Sequence, residues 1–321
     1  MNLTVGLDVG GTKISGTLVG ADGRVRASAW RLTPASGTED ILAAAADVVA
    51  ELRSALHPPD HLTGIGVACA GFIDRDGARV LFAPNLPWRD EPLKQRLEGV
   101  VGLPVVVEND ANAAAWGEFT HGSAATSRDM VLITVGTGVG GGVIADGRLL
   151  RGAHGIAAEL GHLRVVPEGL RCGCGNRGCW EQYASGTALV REARDLVSSG
   201  SPLARELMEA CEGKPKRLTG PDVTRLAVAG DPASIELIAD LGRWLGEGAA
   251  SIAAVLDPDV VVLGGGVSAA GNLLLDPARA AFRRHLTGRG YRPEASWELA
   301  ALGNDAGMIG AAALARDGTA R

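Results

Sequence analysis

Two separated stretches of this chain follow one plan. Residues 6–25 read GLDVGGTKISGTLVGADGRV and residues 133–149 read ITVGTGVGGGVIADGRL. Each is an apolar strand, a glycine-rich turn, a second strand and an Asp-Gly-Arg hairpin. Hairpins reuse Asp-Gly by turn chemistry alone, so the strings by themselves leave that explanation open. A duplicated architecture is the more restrictive reading, and a chain of 321 residues is long enough for two similarly built domains.

The second copy contains VGTGVGGG, which satisfies G-x-G-x-x-G through Gly136, Gly138 and Gly141. A dinucleotide turn must follow a strand and open a helix. Here the glycines are followed by VIADGRLLRG, whose Asp146-Gly147 pair predicts a hairpin. The turn therefore joins two strands. Its backbone N–H groups can form an anion-binding nest, and phosphate is the natural ligand where a Rossmann dinucleotide is not.

Periodicity extends the pattern. Strands are predicted at 3–7, 14–19, 24–30, 62–68, 103–110, 129–136, 141–150 and 260–266. Helices are predicted at 38–56, within DEPLKQRLEG, from 111, at about 187–199, 202–211 and 232–256, and at 305–316. Helix–strand alternation of this kind indicates an α/β fold. The expected division is a small α/β domain, 1–112 plus 305–321, and a larger one, 113–304.

Charge and composition exclude several functions. The net charge is −6, with no Lys/Arg run, which argues against a nucleic-acid partner. MNLTVGLDVGGTK lacks the basic region of a signal peptide. No apolar run reaches the ~18 residues of a membrane span. A cytoplasmic protein is expected. With a first strand starting at Leu3, no room is expected for a helix-turn-helix ahead of it.

Five cysteines include three in CGCGNRGC: Cys172, Cys174 and Cys179. An odd, clustered set in such a chain points to a metal, with His162 just upstream as fourth ligand of a Cys3His zinc site. A glycine-rich loop with incidental thiols is the bland alternative. Cys69 and Cys211 read as small buried apolar residues.

DVGGTK (8–13), ENDANAAAWGE (108–118), TVGTGVGGG (134–142), AELGH (158–162), CGCGNRGCWEQYASG (172–186) and VVLGGG (261–266) occur in this order along nearly the whole chain. In this it resembles the ROK family of sugar kinases and related regulators, and within it the ATP-dependent bacterial glucokinases. The resemblance implies the two-domain actin/sugar-kinase/Hsp70-like (ribonuclease H-like) fold with an interdomain cleft. It also implies transfer of the γ-phosphoryl of ATP to the 6-hydroxyl of glucose. Kinases for N-acetylglucosamine, N-acetylmannosamine or fructose share these motifs, and a non-catalytic sugar sensor is a further alternative. Homo-oligomers, dimers or tetramers, are common in the family.

Phosphoryl transfer needs a phosphate cradle, Mg²⁺ and a carboxylate to take the hydroxyl proton. Gly10, Gly11 and Thr12, with Gly136, Thr137 and Gly138, supply two candidate cradles. Asp8 is placed to hold the water shell of Mg²⁺. Lys13 either faces phosphate or is a solvated strand lysine. Asp110 is the expected general base by resemblance, while residue type alone would make it a helix cap. Resemblance further implies Asn85, Asn109, Asp110, Glu159, His162 and Glu181 as sugar contacts, and Gly264, Gly265 and Gly266 on the adenine side. His162 would use one ring nitrogen for zinc and offer the other to the sugar. Two segments depart from the family pattern: Ala158 stands where glycine is usual, and GVACAGFID (66–74) is given no ligand role.

Overall fold

In the computed structural model, which describes residues 1–318, the first chain segment builds a mixed sheet. Strands β1 (Asn2–Val9), β2 (Lys13–Val19) and β3 (Val25–Leu32) pair antiparallel. Helix α1 (Thr38–Ser54) leads to β4 (His61–Cys69), parallel to β1. A small sheet of β5 (Phe72–Ile73), β6 (Val80–Phe82) and β7 (Arg89–Glu91) follows, then α2 (Leu93–Val101). Strand β8 (Val105–Asn109), parallel to β4, completes the order β3-β2-β1-β4-β8. It runs directly into α3 (Asp110–His121).

The second sheet repeats that order. Strands β9 (Met130–Val135), β10 (Val139–Ala145), β11 (Arg148–Leu149), β12 (Val260–Gly264) and β13 (Ser296–Leu299) lie as β11-β10-β9-β12-β13. Here β11 is antiparallel to β10, β12 parallel to β9, and β13 parallel to β12. Asp146 and Gly147 both have positive φ, 52° and 71°, as the tight β10–β11 hairpin requires. The internal repeat is therefore one of fold and not of turn chemistry alone. The helices are α4 (Glu181–Ala184), α5 (Gly186–Ser198), α6 (Arg205–Ala210), α7 (Gly220–Val228), α8 (Pro232–Leu256), α9 (Asn272–His285) and α10 (Ala306–Asp317). None among the described residues is long and apolar enough to cross a membrane.

The chain divides into two units. Unit 1 is Met1–Ser127, Gly142–Ala158 and the segment from Ala301; unit 2 is Arg128–Gly141 and Glu159–Ala300. The expected cut after residue 112 falls inside α3, and the structure keeps that helix with unit 1. The reason is packing. A Cβ on Gly310 of α10 would lie 1.7 Å from the carbonyl oxygen of Ala113 in α3, so the two helix backbones touch. The Glu118 carboxylate, fully buried near the end of α3, accepts the N–H groups of Ala301 and Leu302 at 3.0 and 2.8 Å, drawing that segment in as well.

Strand β1 is buried on both faces, as a central strand should be, with Leu3, Val5, Leu7 and Val9 on one side. Its other face, and that of β4, carries α10. A Cβ on Gly66 would stand 1.8 Å from the Ala311 carbonyl oxygen, so only glycine lets helix and sheet close to this distance. In unit 2, α8 and α9 meet the same way, with Gly246 against the Ala278 carbonyl. Gly248 of α8 leaves the space filled by the ring of buried Trp180, whose Nε1–H donates to the Trp244 carbonyl at 2.8 Å. That anchors the residue between Cys179 and Glu181.

Sequence periodicity missed α7, α9, β13 and the small sheet. Pro277 inside α9 reads as a helix breaker, and strands of two to four residues are too short to show alternation. Gly66→Ala or Gly310→Ala is expected to cost about 3 kcal/mol or more, because backbone must move and no side chain can yield. Denaturant melts of either variant check this; a midpoint equal to wild type would refute the contact.

Candidate functional site

Asp8 and Asp110 stand at the ends of two strands of one sheet, Asp8 on β1 and Asp110 just past β8. The helix cap between β8 and α3 is Asn109, not Asp110: the Asn109 Oδ1 accepts the N–H groups of Ala111 and Asn112, both at 3.0 Å. Its Nδ2 donates to the Gly71 carbonyl at 3.1 Å. Asn109 thus spends most of its hydrogen-bonding capacity on the backbone, while Asp110, the first helical residue, accepts the Ala111 N–H at 2.9 Å. Beneath them the buried Glu108 carboxylate accepts the Asn109 N–H, the Asn112 Nδ2 and the Arg151 Nε, the last at 2.6 Å.

Both aspartates keep a face open to water but are ringed by protein on their other sides. This loss of solvation pushes the Asp8 pKa up to about 6, helped by the charge of Asp110 and opposed by Lys13. Burial raises Asp110 too, against hydrogen bonds from the Ala111 N–H, its own N–H and Asn109. Lys13 lies with Nζ 5.2 Å from the Trp30 ring centroid, a cation–π contact that holds it on the strand surface.

The two glycine turns are alike in hydrogen bonding. In the first, the Gly10 N–H bonds the Lys13 carbonyl at 3.0 Å; in the second, the Gly136 N–H bonds the Gly138 carbonyl at 3.0 Å. The N–H groups of Gly11, Thr12, Thr137 and Gly138 have no acceptor among the described residues, and both threonines are exposed. Such free donors are what an anion needs. Asn85 adjoins the first turn: a Cβ on Gly11 would be 2.9 Å from the Asn85 Cβ and from its carbonyl oxygen.

Unit 2 also holds a cavity of about 1020 Å³, and the second turn contributes Gly136 and Thr137 to its wall. The starts of α5 (Gly186, Thr187) and α7 (Gly220, Pro221) line it, with Val190, Val228 and Val267 as apolar surface. Of the three glycines expected here, only Gly266 reaches the cavity. Gly264 ends β12, and Gly265, at φ 84°, packs on the Val135 backbone. The α5 and α7 contributions were missed. Their signals were Ser185 before Gly186 and the Thr219–Asp222 capping box.

His162, Cys172, Cys174 and Cys179 converge, their ligand atoms all within 4.8 Å of one another. Cys174 and Cys179 Sγ are 3.6 Å apart, and Cys172 Sγ is 3.7 Å from His162 Nδ1. A tetrahedron with Zn–S bonds of ~2.3 Å has edges of about 3.8 Å. The donor set and spacing fit a structural Zn²⁺. His162 closes a single 3-10 turn, Leu160–His162, that Glu159 opens. Its Nδ1 faces the thiols while its Nε2 lies 3.9 Å from Glu159 Oε2. Glu181 Oε1 sits 2.9 Å from Cys172 Sγ, and its Oε2 lies so near Gly138 that a Cβ there would approach within 2.7 Å. Glu159, His162 and Glu181 are thus gathered in unit 2 around the cluster. Asn85, Asn109 and Asp110 belong to unit 1.

Residues 4–318 match the ROK family. A Streptomyces coelicolor glucokinase is 45% identical over 99% of this chain and 98% of its own. A Citrobacter koseri N-acetylmannosamine kinase is 37% identical, covering 98% of each chain. Among solved structures, a ROK family glucokinase from Streptomyces griseus, in complex with glucose and AMPPNP, aligns with a TM-score of 0.86 at 46% identity, over 98% of this chain and 99% of the other.

Two outcomes follow from strain and charge. Ala158 has φ 68°, a left-handed conformation that favours glycine, so Ala158→Gly is expected to stabilise the fold by about 1 kcal/mol, read as a higher melting temperature. The pKa of Asp8 is higher folded than unfolded, so its ionised form is disfavoured in the fold; that cost is absent well below the ordinary value of 3.8, builds up as pH rises from there to about 6, and is fully present above it. Asp8→Asn is therefore expected to raise the melting temperature at pH 8 and to have little effect near pH 4. An equal shift at both pH values would contradict the assignment.

Proposed function

The chain belongs to the ROK family, and we propose that it phosphorylates glucose at the 6-hydroxyl with ATP, giving glucose 6-phosphate and ADP. The observation that carries the chemistry is Asp110 itself. Helix capping is done by Asn109, so the Asp110 carboxylate stays available beside Asp8 in the unit that carries the first glycine turn.

In this reading Asp110 accepts the proton of the attacking sugar hydroxyl. The free N–H groups of the two turns hold phosphate oxygens where negative charge spreads during transfer. The purine lies against Val190, Val228 and Val267 in the 1020 Å³ cavity. Bound Mg²⁺ would neutralise charge on the β- and γ-phosphates, with Asp8 holding its water shell. Zn²⁺ in the Cys3His cluster would fix the loop from Glu159 to Glu181. Those two carboxylates and His162 then hydrogen-bond sugar hydroxyls in unit 2; in unit 1, Asn85 and Asn109 are the candidate sugar ligands. An aspartate is a weak base, and its raised pKa moves it toward the task while positioning supplies most of the rate. The family resemblance further supports a homo-oligomer working in the cytoplasm.

An ADP-release assay with glucose, N-acetylglucosamine, N-acetylmannosamine, mannose and fructose tests the reading on wild type and Asp110→Asn. Glucose is expected to give the highest kcat/KM, and the variant to lose about 10³-fold in kcat with a glucose KM within a few-fold. Turnover that survives the substitution would remove Asp110 as the base; sugar binding without any turnover would make the chain a sensor. Wild-type kcat/KM is also expected to fall about tenfold between pH 7 and pH 5 as Asp8 takes up a proton. A flat profile would exclude that ionisation.

A further inference from the structure

Unit 1 carries a second cavity, of about 1000 Å³, at its edge strand β8 and away from Asp8, Asn85 and Asp110, none of which lines it. Four cations line it, Arg75, Lys94, Arg148 and Arg151, against two carboxylates, Asp76 and Asp317. One of those carboxylates is engaged, since Asp317 Oδ2 accepts the Trp116 Nε1–H at 3.2 Å. Arg75, Lys94 and Arg148 have no ion-pair partner among the described residues. Three unpaired cations around one concavity repel each other and favour an anion. Trp116 and Leu314 add an apolar wall on which a small ring can lie.

We propose that this cavity binds a phosphomonoester of a small sugar or polyol, and that its occupancy is felt at Asp110. Arg75, Lys94 and Arg148 take the phosphate, and the apolar wall takes the carbon skeleton. The route to the catalytic strand is Arg151. It lines the cavity and donates through Nε to buried Glu108 at 2.6 Å. Glu108 in turn accepts the N–H of Asn109, the residue before Asp110, at 3.1 Å. An anion that draws on Arg151 loosens its hold on Glu108, and with it the backbone that sets the direction of Asp110.

Titration calorimetry on the full chain tests this, with glucose and AMPPNP at saturation so that the sugar and nucleotide sites are filled. Glucose 6-phosphate is the first probe and inorganic phosphate the second. One further site per chain for glucose 6-phosphate is expected, weakened about tenfold or more in Lys94→Ala/Arg148→Ala and in Arg75→Glu. Inorganic phosphate is expected to bind about tenfold more weakly than glucose 6-phosphate, for want of the apolar contact. In wild type, glucose 6-phosphate is expected to change kcat at saturating glucose, which competition at the sugar site alone cannot do; in the double variant that effect disappears while kcat without the probe stays within about twofold. No heat at saturation, or unchanged affinity in the variants, overturns the site. Equal binding of inorganic phosphate overturns the sugar-phosphate class, and purely competitive inhibition overturns the coupling. The binding arm does not depend on turnover, so it stands apart from a failure of the kinase reading.

Discussion

Three thiols and an imidazole hold together the part of unit 2 that has least secondary structure of its own. Between Glu159 and Glu181 the chain makes one 3-10 turn and two isolated β-bridges, Arg164–Cys179 and Arg171–Arg177. Regular hydrogen bonding cannot fix such a loop, and apart from the thiols its buried apolar anchors are Leu160 and Trp180. The Cys3His cluster supplies the missing constraint. Because it includes His162 and touches Glu181, the same four side chains that close the loop also orient its carboxylates. On the proposed function, metal binding and sugar recognition are thereby one structural problem, while the chemistry of phosphoryl transfer is left to carboxylates and backbone donors elsewhere.

In unit 1 the corresponding constraint is contact between backbones. Helix α10 lies on the sheet at Gly66 and on α3 at Gly310, at distances no Cβ would permit. This fixes α3 against the sheet and so fixes the β8–α3 junction. There Asn109 caps the helix, Glu108 is buried under it with Arg151, and Asp110 takes no part in the cap beyond a local bond from the Ala111 N–H. The cost of keeping two carboxylates poorly solvated in one sheet, seen in the raised pKa of Asp8, is tolerable because those contacts over-determine the surrounding structure.

Much of this was legible in the sequence, and for physical reasons. The repeated strand–turn–strand–hairpin string reappears as two sheets of identical strand order, since tight turns leave little choice of residue at positions such as Asp146-Gly147. The cysteine spacing marked the cluster because few other structures place three thiols and a histidine together. What was hidden depends on tertiary packing. Which of Asn109 and Asp110 caps α3 is not decided by residue type, as both are good caps. The domain boundary inside α3 was set by Gly310 meeting Ala113, far apart in sequence. The 1020 Å³ cavity of unit 2 draws on the starts of α5 and α7, and the sequence pattern does not mark α7 as a helix. Lys13, left open between two roles, rests on Trp30, a partner that strand pairing alone brings alongside.

On the proposed function, the Cys3His cluster governs sugar recognition and takes no part in nucleotide binding. The direct measurement is glucose affinity and AMPPNP affinity on the same protein, before and after zinc is stripped by a chelator and again after it is restored. Glucose affinity is expected to fall by about tenfold or more without the metal and to recover with it, while AMPPNP affinity holds throughout. Glucose binding that is indifferent to zinc, or a parallel loss of nucleotide binding, would contradict the account.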